Sequence, residues 1–158
     1  MKARNASEQG LMRKSGIIAA RALKRALESI KVGVSELEVD KAVEEEIYKQ
    51  GGDLSYKTVP GYKFATCITV NEQVVHGIPT DRKFESGDLV SVDLAVMYKG
   101  WHTDSAWSVL VGKDAEKEKF LKVGEQALWE GIKQAVDGNR VGDISHSIQT
   151  TIEGAGYS

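Results

Sequence analysis

Apolar residues recur at helical spacing in the first third of the chain and predict two consecutive helices. Residues 7–30 carry an apolar stripe with a period close to 3.6, which predicts a first helix. Ser35 is a typical N-cap residue, and the apolar residues that follow it at four-residue intervals predict a second helix. This helix is expected to end at the glycine pair 51–52.

The pattern then changes to short β-branched and aromatic runs separated by turn residues. It predicts strands at residues 56–59 and 64–70, followed by a hairpin over residues 90–111. The run is apolar and β-branched on both sides of Lys99 and Gly100, so these two residues are expected to form the loop of that hairpin.

Helical spacing returns after Gly112 and repeats the first helix pair at a constant offset of 105 residues. We interpret this as an internal duplication; the alternative is that any two helical hairpins share an apolar stripe and a glycine. Residues 1–112 would then form a first half, and residues 113–158 the helical start of a second half. Because that second copy carries no strands, we expect the chain to be truncated. The matched pairs are Leu23 with Leu128, Leu27 with Ile132, Gly33 with Gly138, Val39 with Ile144, Val43 with Ile148, Ile47 with Ile152, and Gly51 with Gly156.

Composition narrows the class of protein without indicating a function. A chain of 158 residues is long enough for one domain with a real core. Its 23 acidic and 21 basic residues give a net charge of −2, which indicates no attraction to nucleic acid or membranes. No apolar run approaches the roughly 20 residues that span a bilayer. The single cysteine cannot form an internal disulfide, which favours the cytoplasm.

Two aspartates in the predicted hairpin are the strongest candidates for a functional site. With a two-residue loop, Asp104 lies opposite Ala95 and diagonally next to Asp93, on the same face of the hairpin. Like charges this close on a sheet are destabilising, and aspartate is a poor strand residue. A divalent cation would offset the repulsion, since carboxylate oxygens are natural ligands for such ions. The alternative is a pair of solvated aspartates flanking a turn.

The histidines and the cysteine are weaker candidates. His76 lies between an apolar strand end and a Gly-x-Pro turn, where it can face a cleft or serve as a structural histidine. His102 shares a strand face with Asp104 and could support a metal ligand there. His146 is expected to be exposed in the middle of a helix. Cys67 has no Cys-x-x-Cys partner and no base at a spacing that indicates a thiol nucleophile.

Three motifs follow one another along the chain: Asn71-Glu-Gln-Val-Val-His-Gly-Ile-Pro79, Gly87-Asp-Leu-Val-Ser-Val-Asp93 and Gly100-Trp-His-Thr-Asp104. In this order they resemble the type I methionine aminopeptidase family, and the resemblance extends from about Ser7 to the last residue. It implies the pita-bread fold, in which two pseudo-symmetric α+β halves face a central metal site. This chain would hold the first half and the leading helix pair of the second.

The resemblance also implies roles for individual residues. Asp93 matches a terminal metal ligand and Asp104 a ligand that bridges two divalent ions, which can be manganese, iron or cobalt, or also zinc. His76 matches a catalytic histidine that contacts the substrate near the scissile bond. Tyr62 and Cys67 match positions that line the pocket for the methionine side chain and so bind the substrate.

The chain departs from the family pattern in two respects. Val59 stands where the family usually has an aromatic pocket residue. The family's third metal ligand, a histidine, and its two glutamate ligands would follow Ser158, and one of those glutamates is the general base. We therefore expect negligible activity of the isolated chain, from which the two metal ions of the complete enzyme can be absent.

The resemblance implies metal-dependent removal of N-terminal methionine from nascent proteins near the ribosome, in the cytoplasm. No direct nucleic-acid or membrane partner is implied. Because the second half would lack the strands that cover the sheet face and hairpin of the first half, we expect a homo-oligomer formed through that uncovered face. The alternatives are a non-catalytic pita-bread-like binding protein and a truncated half that is stable through self-association. Metal titration would distinguish a catalytic relative from a binding protein.

Overall fold

A computed structural model describes residues 4–158 and contains four helices, a four-stranded antiparallel sheet and one 3-10 turn. The predicted α+β class is confirmed. Contacts divide the chain into two compact units, the first ending at Gly112 and the second comprising Lys113–Ser158. None of the described helices has the length and apolar character to cross a membrane. The elements are α1 Ala6–Ser29, α2 Glu36–Lys49, β1 Asp53–Leu54, the 3-10 turn Ser55–Thr58, β2 Thr66–Val70, β3 Leu89–Tyr98, β4 Trp101–Leu110, α3 Ala115–Gln134 and α4 Val141–Gly154.

Side-chain caps fix where the first two helices begin. The Asn5 side chain accepts a hydrogen bond from the backbone N–H of Glu8, and the Glu8 carboxylate accepts one from the Asn5 N–H. Ser35 and Glu38 form the same reciprocal capping box at the start of α2. The predicted start of the second helix at Ser35 is therefore confirmed, and the first helix differs from its prediction by one residue at each end.

Strand β3 is the centre of the sheet. It pairs with β4 along its whole length, and β1 and β2 pair with different parts of it. Lys99 and Gly100 both have positive φ, 50° and 80°, which is the backbone that a two-residue loop of type I′ requires. The hairpin register places Asp104 opposite Ala95, as the sequence predicted.

The predicted strand at residues 56–59 is wrong, because this segment forms the 3-10 turn Ser55–Thr58. The hydroxyl of Thr58 donates to the carbonyl of Ser55, so the segment satisfies its polar groups locally. The short strand β1 ends at Leu54, opposite Val96 of β3, and the chain turns away after it. The next predicted strand, at residues 64–70, begins two residues later than expected, at Thr66.

Alternation along β3 separates a buried face from the face that carries the aspartates. The even positions Val90, Val92, Leu94 and Val96 are fully buried. Helix α1 packs against β3 and β4 with small residues, which let its backbone approach the sheet closely. The odd positions, including Asp93, point away from this core.

The internal repeat found in the sequence is also present in the structure, where α2 and α4 begin and end at equivalent positions. Adding 105 to the bounds of α2, Glu36–Lys49, gives the bounds of α4, Val141–Gly154. The glycines before the two helices, Gly33 and Gly138, share a positive φ of 87° and 93°. The two helical hairpins are therefore equivalent in backbone as well as in apolar pattern.

Burial distinguishes the two helical hairpins. The stripe of α2 formed by Val39, Val43 and Ile47 is fully buried, whereas no residue of α4 is buried. In α3, Leu128 and Ile132 are 41% and 48% exposed. We call the residues Leu128, Ile132, Ile144, Ile148 and Ile152 the α3–α4 stripe. The sheet that shields the apolar residues of the first unit has no counterpart among the described residues of the second.

Candidate metal centre

The two aspartates lie on the sheet face opposite the one that packs against α1. Asp93 is central, because Cys67 of β2 is its partner on one side and Ala106 of β4 on the other. Asp104 lies two residues along β4 from Ala106, on the same face. The predicted diagonal arrangement of the pair is confirmed by this register.

The electrostatics of the pair favour a cation. Partial desolvation raises the pKa of Asp104, and the negative charge of Asp93 raises it further. Within residues 4–158, Oδ1 of Asp93 is the one buried side-chain oxygen or nitrogen atom that has no hydrogen-bond partner. An unpartnered carboxylate oxygen beside a second carboxylate is a donor set that fits a divalent ion.

The described residues contribute only part of a complete coordination shell. Across residues 4–158, no group of three or more histidine, cysteine, aspartate or glutamate side chains is arranged to hold a metal ion. Two carboxylates can fix the position of an ion, but a dinuclear site needs further terminal and bridging ligands. The pair alone therefore provides too few ligands for a dinuclear site.

Three aromatic side chains, those of Tyr56, Tyr62 and Phe64, form a cluster next to Cys67, the strand partner of Asp93. The hydroxyl of Tyr62 donates to the carbonyl of Thr66 at 2.6 Å and lies 3.2 Å from Sγ of Cys67. The ring of Tyr62 packs edge-on against the rings of Tyr56 and Phe64. Burial raises the pKa of the Cys67 thiol, and the charge of Asp93 raises it further, so the thiol is neutral and serves as an apolar surface. The structure thus brings the two predicted pocket residues together next to the predicted metal ligand.

Tyr56 is a site residue that the sequence analysis missed. Its phenol has a raised pKa because the group is buried and because Asp93 and Asp104 place negative charge beside it. Val59, at the position where the resemblance implies an aromatic residue, is 50% exposed. The sequence analysis missed Tyr56 because it predicted a strand at residues 56–59. The proline at position 60, which disfavours a continuous central strand, was the signal against that prediction.

The histidines are less closely tied to the pair. His76 is exposed and has a positive φ of 55°. Within the described residues, no hydrogen bond joins His76 to either aspartate. His102 faces the same side as Asp104, and its Nδ1 lies 2.7 Å from Oγ of Ser55. His146 is exposed on α4, as predicted.

The backbone of Gly77 fixes the position of the loop that carries His76. The carbonyl of Gly77 accepts a hydrogen bond from the N–H of Ile68 at 2.9 Å, so the loop lies directly against β2. A Cβ atom at Gly77 would lie 1.9 Å from the carbonyl oxygen of Ile68. Only glycine allows this approach, and it places His76 at the edge of the sheet.

We predict that Gly77→Ala lowers the free energy of unfolding by more than about 1 kcal/mol, because the added methyl group collides with backbone rather than with a mobile side chain. Gly124→Ala is the matched control. Its Cβ would meet nothing within 4 Å in the exposed part of α3, so it should raise stability by about 0.5–1 kcal/mol. Urea unfolding of both variants measures the difference, and equal effects would contradict the close approach at Gly77.

We predict that Asp104→Asn stabilises the metal-free chain at neutral pH. Because the folded state raises the pKa of Asp104 above its ordinary value of 3.8, it favours the protonated form. Protonation of Asp104 therefore stabilises the folded state, and this contribution is fully present below the pKa that Asp104 has in the unfolded chain. It is lost as the pH rises through the higher pKa that Asp104 has in the folded chain. Thermal unfolding between pH 3 and 7 should show the advantage of the variant growing with pH. Exposed Asp81→Asn is the control, and a less stable Asp104→Asn chain at neutral pH would contradict the repulsion.

Comparison with known proteins adds a family match. The model of metallopeptidase family M24 matches residues 10–158. Methionine aminopeptidase 1 of Bacillus subtilis is 40% identical over 152 residues, which cover 96% of this chain and 61% of that protein. Methionine aminopeptidase of Clostridium perfringens is 38% identical over 156 residues, which cover 98% and 63%. The chain therefore spans about three fifths of the length of these curated relatives.

Solved structures agree with this match. Methionine aminopeptidase from Thermotoga maritima superimposes with a TM-score of 0.95 at 37% identity, covering 99% of this chain and 64% of that one. Prolidase from Pyrococcus furiosus gives a TM-score of 0.83 at 23% identity, covering 98% and 44%, which shows a shared fold alone.

Proposed function

We propose, on the premise that this chain belongs to metallopeptidase family M24, that its protein removes the N-terminal methionine from peptides at a divalent metal centre. The resemblance to methionine aminopeptidases is confirmed, and with it the α+β pita-bread fold class. The observation that carries the proposal is the pair Asp93 and Asp104, close enough to perturb each other and with one buried oxygen unpartnered.

Asp93 and Asp104 would hold the metal ions from one side. In this proposal Asp93 would act as a terminal ligand and Asp104 as a ligand shared by two ions, with manganese, iron, cobalt or zinc as the candidates. Bound ions of this kind supply Lewis-acid activation of water and of the scissile carbonyl. The aspartates contribute fixed negative charge on a rigid hairpin, so the ligand oxygens need little rearrangement when an ion binds.

His76 would hydrogen-bond the substrate as negative charge develops on the scissile carbonyl oxygen. Its exposed position on a loop held against β2 supports this role, because the side chain is available while the backbone is fixed. Tyr62 and Cys67 would contact the methionine side chain of the substrate. Their mutual contact and their position beside Asp93 support a pocket that ends at the metal ligands.

The substrates would be nascent proteins near the ribosome, in the cytoplasm. The names of the relatives support the N-terminal methionine as the residue removed, which is the coarser part of this proposal. The net charge of −2 gives the chain no general attraction to nucleic acid.

We expect Mn²⁺ to bind the 158-residue polypeptide at the aspartate pair, weakly, because two carboxylates provide fewer ligands than a full shell. Asp93→Asn and Asp104→Asn should each weaken binding by about tenfold or more, since each removes a direct ligand. Asp81→Asn, at an exposed position outside the pair, should leave binding unchanged. Titration followed by electron paramagnetic resonance measures free Mn²⁺ directly, and equal affinities in all four proteins would contradict the proposal.

The same polypeptide alone should have negligible activity on a Met-Ala-Ser peptide with added Mn²⁺ or Co²⁺. Turnover at about 1 s⁻¹ or faster would be typical of a complete enzyme and would contradict the view that the pair is one side of the centre.

We also propose that the 158-residue chain self-associates through the α3–α4 stripe. An exposed apolar surface of this kind marks an association site, and a second copy would cover it. Sedimentation velocity should detect a dimer or larger species. Ile132→Glu should shift the chain to a monomer because it places a charge in the stripe, whereas Gln126→Glu, at an exposed position outside the stripe, should not. A wild-type monomer would refute this.

A further inference from the structure

A buried carboxylate on α2 connects this helix to the start of β2. Asp40 is 7% exposed, and its Oδ1 accepts hydrogen bonds from the backbone N–H groups of Ala65 and Thr66 at 2.9 and 2.8 Å. The hydroxyl of Thr66 donates to the same oxygen at 2.6 Å. Because Ala65 and Thr66 are also buried, a protein oxygen satisfies these three donors in place of water.

Thr66 also holds the side chain of Tyr62. The hydroxyl of Tyr62 donates to the carbonyl of Thr66 at 2.6 Å and lies 3.2 Å from Sγ of Cys67. The backbone N–H of Tyr62 donates to the carbonyl of Val59 at 3.2 Å, so a turn holds the backbone while Thr66 holds the far end of the side chain. Thr66 therefore links Asp40 to Tyr62 and Cys67, the two residues that the proposed function assigns to the pocket for methionine.

The position of Asp40 is costly unless its hydrogen bonds compensate for burial. Desolvation raises the pKa of Asp40, whereas the hydrogen bonds from Thr66 and Ala65 lower it by favouring the charged form. A buried donor that loses its acceptor keeps the full cost of desolvation, so the start of β2 would have to move to satisfy the three donors again. The Asp40 oxygen thus fixes the backbone whose carbonyl holds Tyr62.

We propose that Asp40 is a positioning residue for the methionine pocket, which acts through Thr66 to hold the Tyr62 hydroxyl against the Cys67 thiol. The inference rests on the proposed function, because that function assigns Tyr62 and Cys67 to the methionine side chain. It adds a residue from the helices to a site that otherwise consists of sheet and loop residues. Asp40 then influences which side chain the pocket accepts without itself lining the pocket.

The thiol of Cys67 reports on this arrangement. It is the only cysteine of the chain, and its residue is 6% exposed. Alkylation of the folded 158-residue chain by iodoacetamide at fixed pH, followed by mass spectrometry, measures how readily the pocket opens. Thr66→Val keeps the branched shape of the side chain and removes the hydroxyl that donates to Asp40, whereas Thr66→Ser keeps that hydroxyl.

Thr66→Val should be alkylated about fivefold faster than wild type or more, the change expected when one hydrogen bond that holds a local structure is lost. Thr66→Ser should stay close to the wild-type rate. Asp40→Asn, which replaces the charged group by a neutral one of the same size, should also react faster. Glu45→Gln, at an exposed position on the same helix, should not. If Thr66→Val does not fold, the comparison of Asp40→Asn with Glu45→Gln decides alone.

Two further variants separate positioning from a general effect on stability. If Thr66 acts through Tyr62, Thr66→Val should accelerate alkylation much less in a Tyr62→Phe background, because the hydroxyl that it would release is already absent. Ile18→Val removes a methyl group from the core on α1 and shows how much acceleration a loss of global stability produces. Thermal unfolding confirms that each variant folds and gives the stability with which its rate is compared.

The outcomes separate this inference from the proposed function. If Thr66→Val and Thr66→Ser react alike, or if all rates follow global stability as in Ile18→Val, the positioning role is overturned and the metal centre stands. An equal effect of Thr66→Val in the Tyr62→Phe background overturns it as well. If Asp93→Asn leaves Mn²⁺ binding unchanged, the proposed function fails, and the assignment of a methionine pocket fails with it whatever the alkylation rates are.

Discussion

The register of one β-hairpin determines how close the carboxylates of Asp93 and Asp104 lie to each other. Two residues with positive φ, Lys99 and Gly100, close the loop, and that loop places Asp104 opposite Ala95. A shift of one residue would turn Asp93 into the helix-packed core and bring Val92 to the open face, at a cost of several kcal/mol for a buried, unpaired charge. The buried valines of β3 therefore specify the register, and the register creates the repulsion that a cation can relieve.

The repeated helical hairpins show how strongly burial depends on what covers an apolar stripe. In the first unit the stripe of α2 lies in the hydrophobic core beneath the sheet and is inaccessible to solvent. In the second unit the same positions, 105 residues later, stay partly open, although the helix length and its flanking glycines are the same. Local sequence thus builds equivalent helices, and tertiary packing alone makes the difference.

Structural features that depend only on residues a few positions apart in the sequence were predictable from the sequence. The capping residue Ser35 and the Lys99-Gly100 loop act within a few positions, so α2 and the Asp93/Asp104 arrangement followed from pattern alone. Tyr56 could not be placed in this way, because the preceding residue, Ser55, is held by His102, which lies 47 residues further along the sequence. The contact of Gly77 with Ile68 could not be predicted either, because only the folded chain shows which backbone atoms lie against the glycine.

The central claim is that Asp93 and Asp104 bind metal together. The most direct measurement is an anomalous difference map from crystals of this chain grown with Mn²⁺. The account predicts a peak about 2.0–2.6 Å from Oδ1 of Asp93 and at a similar distance from a carboxylate oxygen of Asp104. A map with both carboxylates ordered and no peak between them, or with Mn²⁺ bound only elsewhere on the protein, would contradict it.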